Sequence, residues 1–524
     1  MAMDNKTGVV FTAPKPINRV TTVESGRVRG IAGNSPRYTV FKGIPYAKPP
    51  VGPLRWKKPQ PPEGWSGIRD CSSFGNIAPQ EGFPEDLMYG KEFFQNGAVC
   101  DEDCLYLNIW TPSRNMSEDK YPVLFWIHGG ALFGGNGHEP EFDGEEFCKN
   151  GVLLVTINYR LGIFGFLAHP ELSAEDGEMG ISGNYGHYDQ LAALEWVYRN
   201  IKNFGGDPEN ITVAGQSAGA GSVQTLVTSK LTGNMIRRAI IQSGVGVSGL
   251  RPKNMDAKSL QNAQIMGVKL MKAAGCTNIR QMREMTFEQL SAIPGMGFGG
   301  EFTLGTIVDG YLVEQPADVA VLKGDYKKIP YLIGNTAGES ALFLLPKDHF
   351  ERNARDSYGD TAERYLALAN VHTDADVLRA ESQTHAMEVG NRVFATINNK
   401  LERPPVYLYR FDRNLPGTDV DDSNPTILKG SFHSSELWYT FKTVNRCWRP
   451  MNGIDYDLAT AMNAYWSNFV KCGDPNGNGL PEWKPFTNTE QAYMHLADKI
   501  ELKTDAVPEI RQCLIDMVIR KAVH

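Results

Sequence analysis

The 524-residue chain has no run approaching the ~20 consecutive apolar residues that a membrane-spanning helix requires, no CxxC pair, no excess of basic charge and no low-complexity tract. Each absence excludes something. With 53 Lys and Arg against 60 Asp and Glu, the formal charge is −7, so neither nucleic acid nor an anionic membrane is expected as a partner, since both favour a basic face. Eight cysteines are too few to staple a chain of this length. Only Cys100 and Cys104 lie close together, and no nearby histidine completes a zinc set. No metal and no cofactor are therefore expected. The first residues, MAMDNKTGVVFTAPKP, lack a basic segment followed by an apolar one, and the last, VIRKAVH, carry no lipidation signal. The expectation is a cytoplasmic protein, in which the sequons at Asn5, Asn115 and Asn210 have no meaning.

What is present is a globular composition, 41% apolar and 22% charged, able to bury a large core. The first hundred residues are rich in turn signals. Glu24-Ser25-Gly26-Arg27 predicts a hairpin, and KPPVGPLRWKKPQPPEGW (48–65) holds too much proline for regular structure. From residue 105 onward, short apolar runs alternate with helix-length stretches. LYLNIW (105–110), VLFWIH (123–128), VLLVTIN (152–158), ITVAG (211–215), AIIQSG (239–244), YLIG (331–334) and VYLYRF (406–411) read as strands, several apolar on both faces. HYDQLAALEWVYRNI (187–201) reads as a helix with Leu191, Leu194, Trp196 and Val197 on its core face. The pattern predicts an α/β fold with one large, mostly parallel sheet flanked by helices. Residues 251–300 and 345–400 interrupt the alternation with helical text and are expected to form cap insertions.

The segment ENITVAGQSAGAGSVQTLVTS (209–229) places Gly215-Gln216-Ser217-Ala218-Gly219 between a strand and a helix. G-x-S-x-G alone is a weak pattern. At a strand-to-helix elbow it holds its serine in a strained conformation, with glycines where side chains would collide and helix N–H groups aimed at the reacting atom. VLFWIHGGALFGGNG (123–137) is a second strand running into glycines, a turn suited to presenting backbone N–H groups to an oxyanion. His128, at the end of that strand, is read as a residue that fixes the loop rather than as a base.

On these motifs the chain resembles the type-B carboxylesterases, the large α/β-hydrolase family that includes the cholinesterases. The resemblance runs through FKGIPYAKPPVGPLRW (41–56), EDCLYLNIWTP (102–112), FWIHGGA (125–131), INYRLGIFGFL (157–167), FGGDPENITVAGQSAGA (204–220) and RAIIQSG (238–244). It implies an α/β-hydrolase fold, a Ser-His-Glu triad and a single catalytic domain over 1–524.

In this arrangement the chain order is serine, acid, histidine. Five histidines follow Ser217 before the terminal His524: 349, 372, 385, 433 and 495. KGSFHSSELWYTF (429–441) resembles the family's histidine loop, so the resemblance points to His433 as the base and treats the others as surface residues. YLIGNTAGESALF (331–343) places Glu339 as the acid, with Asp309 in IVDGYL (307–312) as its rival. The oxyanion donors implied by motif are the N–H groups of Gly130, Ala131 and Ala218. Gln216 and Ser243 are expected beside the triad. Arg55 and Glu102 match a structural ion pair that would tie the 102 loop to the sheet.

Two departures from the cholinesterase pattern bear on substrate. The residue before the nucleophile is Gln216 rather than glutamate, and residues 78–101 contain no tryptophan, so both attractions for a cationic substrate are missing. The family disulfide of that loop, as the resemblance implies it, is also incomplete, because Ala78 stands where the partner of the EDC cysteine would be. Cys104 is thus expected as a thiol, with Cys71 or Cys100 as alternative partners. Phe133, Phe298, Phe302 and Trp438 are candidate pocket walls. The expected activity is hydrolysis of uncharged carboxylic esters with short to medium acyl or aryl parts, on a small-molecule substrate, by a monomer. The alternatives are a non-catalytic binding or adhesion protein of the same fold, or a hydrolase of amides, carbamates or lipids.

Overall fold

The computed structural model describes residues 18–523 apart from 83–87, 94–97, 115, 117, 178, 245–257, 298, 340–345 and 418–429. Asn5, Asn115 and Phe298 fall outside the described residues.

An eleven-stranded sheet organises the chain. Its centre is a parallel block in the order Tyr493–Leu496, Val406–Phe411, Tyr331–Thr336, Arg238–Gln242, Gly206–Gln216, Tyr121–Ile127 and Leu153–Ile157. Antiparallel strands close both edges: Ile500–Lys503 on one side, and Tyr106–Thr111, Thr39–Pro45 and Ile31–Ala32 on the other. The predicted hairpin is present, with Val23 opposite Gly26 in a separate small sheet.

The apolar runs are explained by two covered faces. Along Tyr121–Ile127, Val123, Phe125 and Ile127 enter one core cluster while Leu124 and Trp126 enter the other. Leu153–Ile157 divides in the same way, with Leu154 on the second face and its buried neighbours Leu153, Val155 and Ile157 on the first. A period of two residues sends alternate side chains to opposite layers. Each fully buried aliphatic side chain contributes about 1.5–3 kcal/mol. The helix Tyr185–Asn200 buries Leu191, Leu194, Trp196 and Val197 against the first face.

The helices Leu260–Ala273, Ile279–Arg283 and Phe287–Ser291 pack with the short helix Gly162–Phe166 around a cluster of their own. The interval 345–400 is more divided. Its helices Lys347–Tyr358, Ala362–Ala369 and Asp374–Thr384 gather with the C-terminal helix Glu509–Val523. The helix Ala386–Lys400 has two apolar stripes: Val389, Val393 and Ile397 face that helical cluster, and Phe394 and Ala395 face the sheet. It is the crossover between the parallel strands Tyr331–Thr336 and Val406–Phe411, an element the sheet itself requires.

Arg55 and Glu102 do pair, with Nε donating to Oε2 at 2.7 Å. The resemblance implied that the pair ties this loop to the sheet; among the described residues it makes no hydrogen bond there. Arg55 Nη1 donates instead to the carbonyls of Arg283 (2.8 Å) and Met285 (2.7 Å), pinning the 102 segment to the cap helices. Arg55→Ala would leave two carbonyls and a half-buried carboxylate without their donor, a loss of about 3 kcal/mol. The expected outcome is a lower melting temperature by scanning calorimetry with the secondary structure unchanged at 20 °C; an unchanged melting temperature would contradict the role of this clamp.

Candidate active site

Three strands of the parallel block end at one place. Gly206–Gln216 ends in Ser217, the loop after Tyr331–Thr336 carries Glu339, and the loop after Val406–Phe411 leads to His433. Side chains at the C-terminal ends of parallel strands converge in this way because the connecting loops all leave on the same edge. The last two loops are joined directly, since Gly338 N–H donates to the Ser431 carbonyl at 2.9 Å and Gly338 bridges Phe432.

Ser217 sits at φ 56° and ψ −125°, immediately before the helix Ala218–Thr228. Its flanking glycines are needed for contact rather than for φ. A Cβ on Gly215 would lie 2.5 Å from the carbonyl group of Gly219, and one on Gly219 would lie 2.1 Å from the Ile127 carbonyl oxygen. The elbow is thus wedged between two strands and its own helix, which holds a strained serine in place.

Ser217 Oγ and His433 Nε2 are 2.8 Å apart, and His433 Nδ1 is hydrogen-bonded to Glu339 Oε2. Glu339 Oε1 accepts from Ser243 Oγ (2.6 Å) and from the N–H of Thr336 (2.8 Å). Both oxygens of the buried carboxylate are therefore hydrogen-bonded. Burial alone would raise the Glu339 carboxyl, but the His433 charge and hydrogen bond, His385 and Ser243 hold it down at about 2. Burial likewise works against a charged His433, yet the Glu339 charge and hydrogen bond prevail and hold the imidazole above its ordinary value. Gln216 is 3.4 Å from His433 through its Nε2.

Gly130, Ala131 and Leu132 all have positive φ (94°, 56° and 65°). The turn is closed by Phe133 and Gly134, whose N–H groups both donate to the Gly130 carbonyl at 2.9 Å. Among the described residues no acceptor takes the N–H of Gly130 or Ala131. The N–H of Ala218 is the first of its helix and has no partner within it. The neighbouring Gly129 lies against Ser217, since a Cβ built there would be 3.2 Å from the serine Cβ. His128 is buried, stacks on Tyr159 at 4.4 Å, and directs Nδ1 to the Gly129 carbonyl at 2.9 Å. Burial pushes it down to about 3, so it is a neutral loop residue, as read from sequence.

Other expectations divide. Asp309 is far from the histidine in role: its carboxylate accepts from the N–H groups of Tyr311 and Val313 (both 2.9 Å) and from Asn184 (2.9 Å), which makes it a turn residue. Trp438 is not a pocket wall; it is buried, stacks on Phe93, and donates Nε1 to Glu92. Phe302 is likewise buried in the cap cluster, with the half-buried Phe133 at its margin. All eight cysteines are free thiols in the structure, and Cys104 is fully buried, which pushes its thiol up.

Some neighbours of the site were not found from sequence. His385, expected at the surface, caps the helix Ala386–Lys400 and is close enough to lower Glu339. Glu436 is fully buried three residues beyond His433, and burial together with the Glu339 charge pushes it up to about 7. Its one sequence signal was the acidic residue in HSSELW.

A sheet of this order with a serine, a histidine and a glutamate joined at its C-terminal edge defines an α/β hydrolase. The model of the carboxylesterase family matches residues 17–512, and the chain belongs to that family; it is a carboxylic ester hydrolase. It is 36% identical over 492 residues to the fumonisin B1 esterase of Sphingopyxis macrogoltabida, covering 89% of this chain and 84% of that one. To the para-nitrobenzyl esterase of Bacillus subtilis it is 32% identical over 525 residues, covering 95% and 98%. Among solved structures, carboxylesterase EST55 of Geobacillus stearothermophilus at pH 6.2 superposes with a TM-score of 0.78 at 32% identity, covering 94% of this chain and 99% of that one.

Because the imidazole must be neutral to accept a proton, the raised His433 carries a pH prediction. The kcat/KM of ester hydrolysis should fall as pH is lowered through a midpoint above the ordinary histidine value of ~6.5. In Glu339→Gln the midpoint should move to lower pH and kcat should drop by about 10³-fold or more. Stopped-flow assays over pH 5–8 read both, and an unshifted midpoint in Glu339→Gln would contradict the coupling.

Proposed function

We propose that the chain hydrolyses uncharged carboxylic esters through an acyl-enzyme formed on Ser217. The observation that carries this reading is the unbroken hydrogen-bond chain from Ser217 through His433 to Glu339. His433 takes the Ser217 proton as Oγ attacks the ester carbonyl, and returns it to the leaving alcohol. Glu339 keeps the proton on Nδ1 and offsets the imidazolium charge. The tetrahedral oxyanion is received by the N–H groups of Gly130, Ala131 and Ala218, each contributing roughly 10²–10³ in rate in comparable enzymes. Water then attacks the acyl-enzyme by the same steps in reverse order, releasing the acid.

Neutral substrates follow from Gln216. Its amide lies beside the histidine where a carboxylate would attract a cation, and no tryptophan in residues 78–101 offers an aromatic face to one. Small esters with short to medium acyl or aryl parts are the substrate class proposed, with no cofactor in the reaction.

Ser217→Ala should retain the circular-dichroism spectrum and melting temperature of the wild type while losing p-nitrophenyl butyrate hydrolysis by about 10⁴-fold or more. Activity within tenfold of the wild type would refute the assignment of the nucleophile. A choline ester should be a poorer substrate than the matching neutral ester by kcat/KM; the reverse order would refute the substrate class.

A further inference from the structure

The chain enters the cap through Lys258–Ser259 and returns through Ile307–Val308, two short strands that pair in parallel. The return strand is stitched to the start of the helix Tyr185–Asn200. Asn184, buried at φ 53°, donates its amide to the Ile307 carbonyl (2.7 Å) and accepts the Ile307 N–H (2.9 Å). Gly183 packs so closely that a Cβ there would lie 2.4 Å from Ile307 Cδ1. Tyr188 adds its hydroxyl to the Asp309 carboxylate at 3.3 Å. These contacts hold the base of the cap.

One further contact leads beyond it. Thr306 Oγ1, immediately before the return strand, lies 2.9 Å from His187 Nε2. From His187 a line of buried polar groups runs toward the nucleophile. His187 Nδ1 is 2.9 Å from Gln190 Oε1, Gln190 Nε2 is 3.0 Å from Ser222 Oγ, and Ser222 Oγ is 3.0 Å from the Ala218 carbonyl. His187 and Gln190 are three residues apart and share one face of their helix. Ala218 and Ser222 are one turn apart on the helix that follows Ser217. His187, Gln190 and Ser222 are each at most 1% exposed, and no hydrolytic step uses them.

The direction of every bond in this line follows from its last member. A carbonyl only accepts, so Ser222 donates its proton to Ala218 and must accept from Gln190. The Gln190 amide therefore turns Nε2 toward Ser222 and Oε1 toward His187. Oε1 also only accepts, so the imidazole proton sits on Nδ1. Burial holds His187 below its ordinary value, against the Gln190 hydrogen bond and the Asp309 charge, which keeps it neutral. Nε2 then carries no proton and accepts the Thr306 hydroxyl. Thr306, His187, Gln190, Ser222 and Ala218 are thus joined head to tail, from the cap's return strand to the residue beside Ser217. Bonds that run in one direction polarise and strengthen one another, and a buried member deprived of its partner is left unsatisfied at a cost.

We propose that His187 is a positioning residue for hydrolysis: through Gln190 and Ser222 it ties the seating of the cap to the first turn of the nucleophile helix, where Ala218 presents its N–H to the oxyanion. It touches no reacting atom, and its role rests on the reading of Ala218 as an oxyanion donor. Gln190 occupies the acceptor side of the Ser222 hydroxyl and leaves its proton one outlet, the Ala218 carbonyl. With His187 removed, the Gln190 amide can turn, Ser222 loses its fixed direction, and the turn carrying Ala218 is free to shift. Because the oxyanion forms only in the transition state, the loss falls on kcat and not on KM.

The test is a double-mutant cycle on p-nitrophenyl butyrate hydrolysis at pH 8, with His187→Leu, Ser222→Ala and the double variant. His187 and Ser222 share no hydrogen bond with each other, so two independent structural losses would multiply. Each single variant should have kcat lowered by about tenfold, with KM changed less than about twofold, since a small misplacement of an oxyanion donor suffices. The double variant should also be lowered by about tenfold, because the second substitution cuts a chain already broken. A double variant lowered by about a hundredfold, or a His187→Leu kcat within about twofold of the wild type, would overturn the proposal. If His187→Leu does not fold, Thr306→Val takes its place in the cycle under the same criterion, because it removes the donor to the same imidazole. Nitrogen-15 NMR of histidine-labelled protein reads the chain without substrate. The signal lost on substituting His187 should be that of a neutral imidazole protonated on Nδ1; protonation on Nε2, or on both nitrogens, would overturn the direction of the chain and the proposal with it. An inactive wild type with the expected signal would count against the esterase reading and not against the chain of hydrogen bonds.

Discussion

Ser217 is held at φ 56° and ψ −125°, a conformation that no side-chain-bearing residue adopts without support, and the structure around it consists largely of that support. Its N–H is taken by the Gln242 carbonyl of the neighbouring strand at 2.9 Å, and its own carbonyl accepts the Gly221 N–H of the following helix at 3.0 Å. Gly215, Gly219 and Gly244 let backbone approach where any Cβ would be within 2.5 Å of another atom. The sheet with two covered faces makes such an elbow affordable: the strands on either side are buried over the halves that lead to it, so the strain is opposed by packing that cannot give way locally.

The electrostatics around this elbow depend on which buried carboxyl groups are charged. Glu339 is ionised because a serine hydroxyl, a backbone N–H and the imidazole all point at it. Glu436, three residues after His433 and equally buried, has among the described residues only the Gln242 amide at 3.4 Å, and one oxygen lacks a partner; its proton is held far more tightly. The charged Glu339 favours the imidazolium with Nδ1 turned toward it, the orientation a base acting through Nε2 needs.

The strands and the elbow were legible in the sequence because their signals are local: apolar runs at period two, glycines around a serine, a glycine turn after a strand. VYLYRF coincides with the strand Val406–Phe411, and HYDQLAALEWVYRNI with most of the helix Tyr185–Asn200. His433 and Glu339 were legible only through family resemblance, since no spacing rule brings a histidine 94 residues from a glutamate into contact. What was missed depends on partners distant in the chain. Arg55 finds its carbonyls 228 and 230 residues away. Trp438 looked like a pocket wall because an aromatic gives no sign of which side of a loop it will face, and Phe93 and Glu92 decided it. The helix Ala386–Lys400 was grouped with an insertion because its charged surroundings hid the stripe, Phe394 and Ala395, that covers the sheet.

The central claim is that Ser217 is the atom on which the acyl group is carried, and the most direct measurement is to map that covalent bond. A fluorophosphonate ester, which mimics the tetrahedral intermediate, should add once per chain. Peptide mapping by tandem mass spectrometry should place the adduct on Ser217, with esterase activity lost in proportion to labelling. Complete loss of activity with the adduct on another residue, or complete labelling of Ser217 with activity retained, would contradict the account.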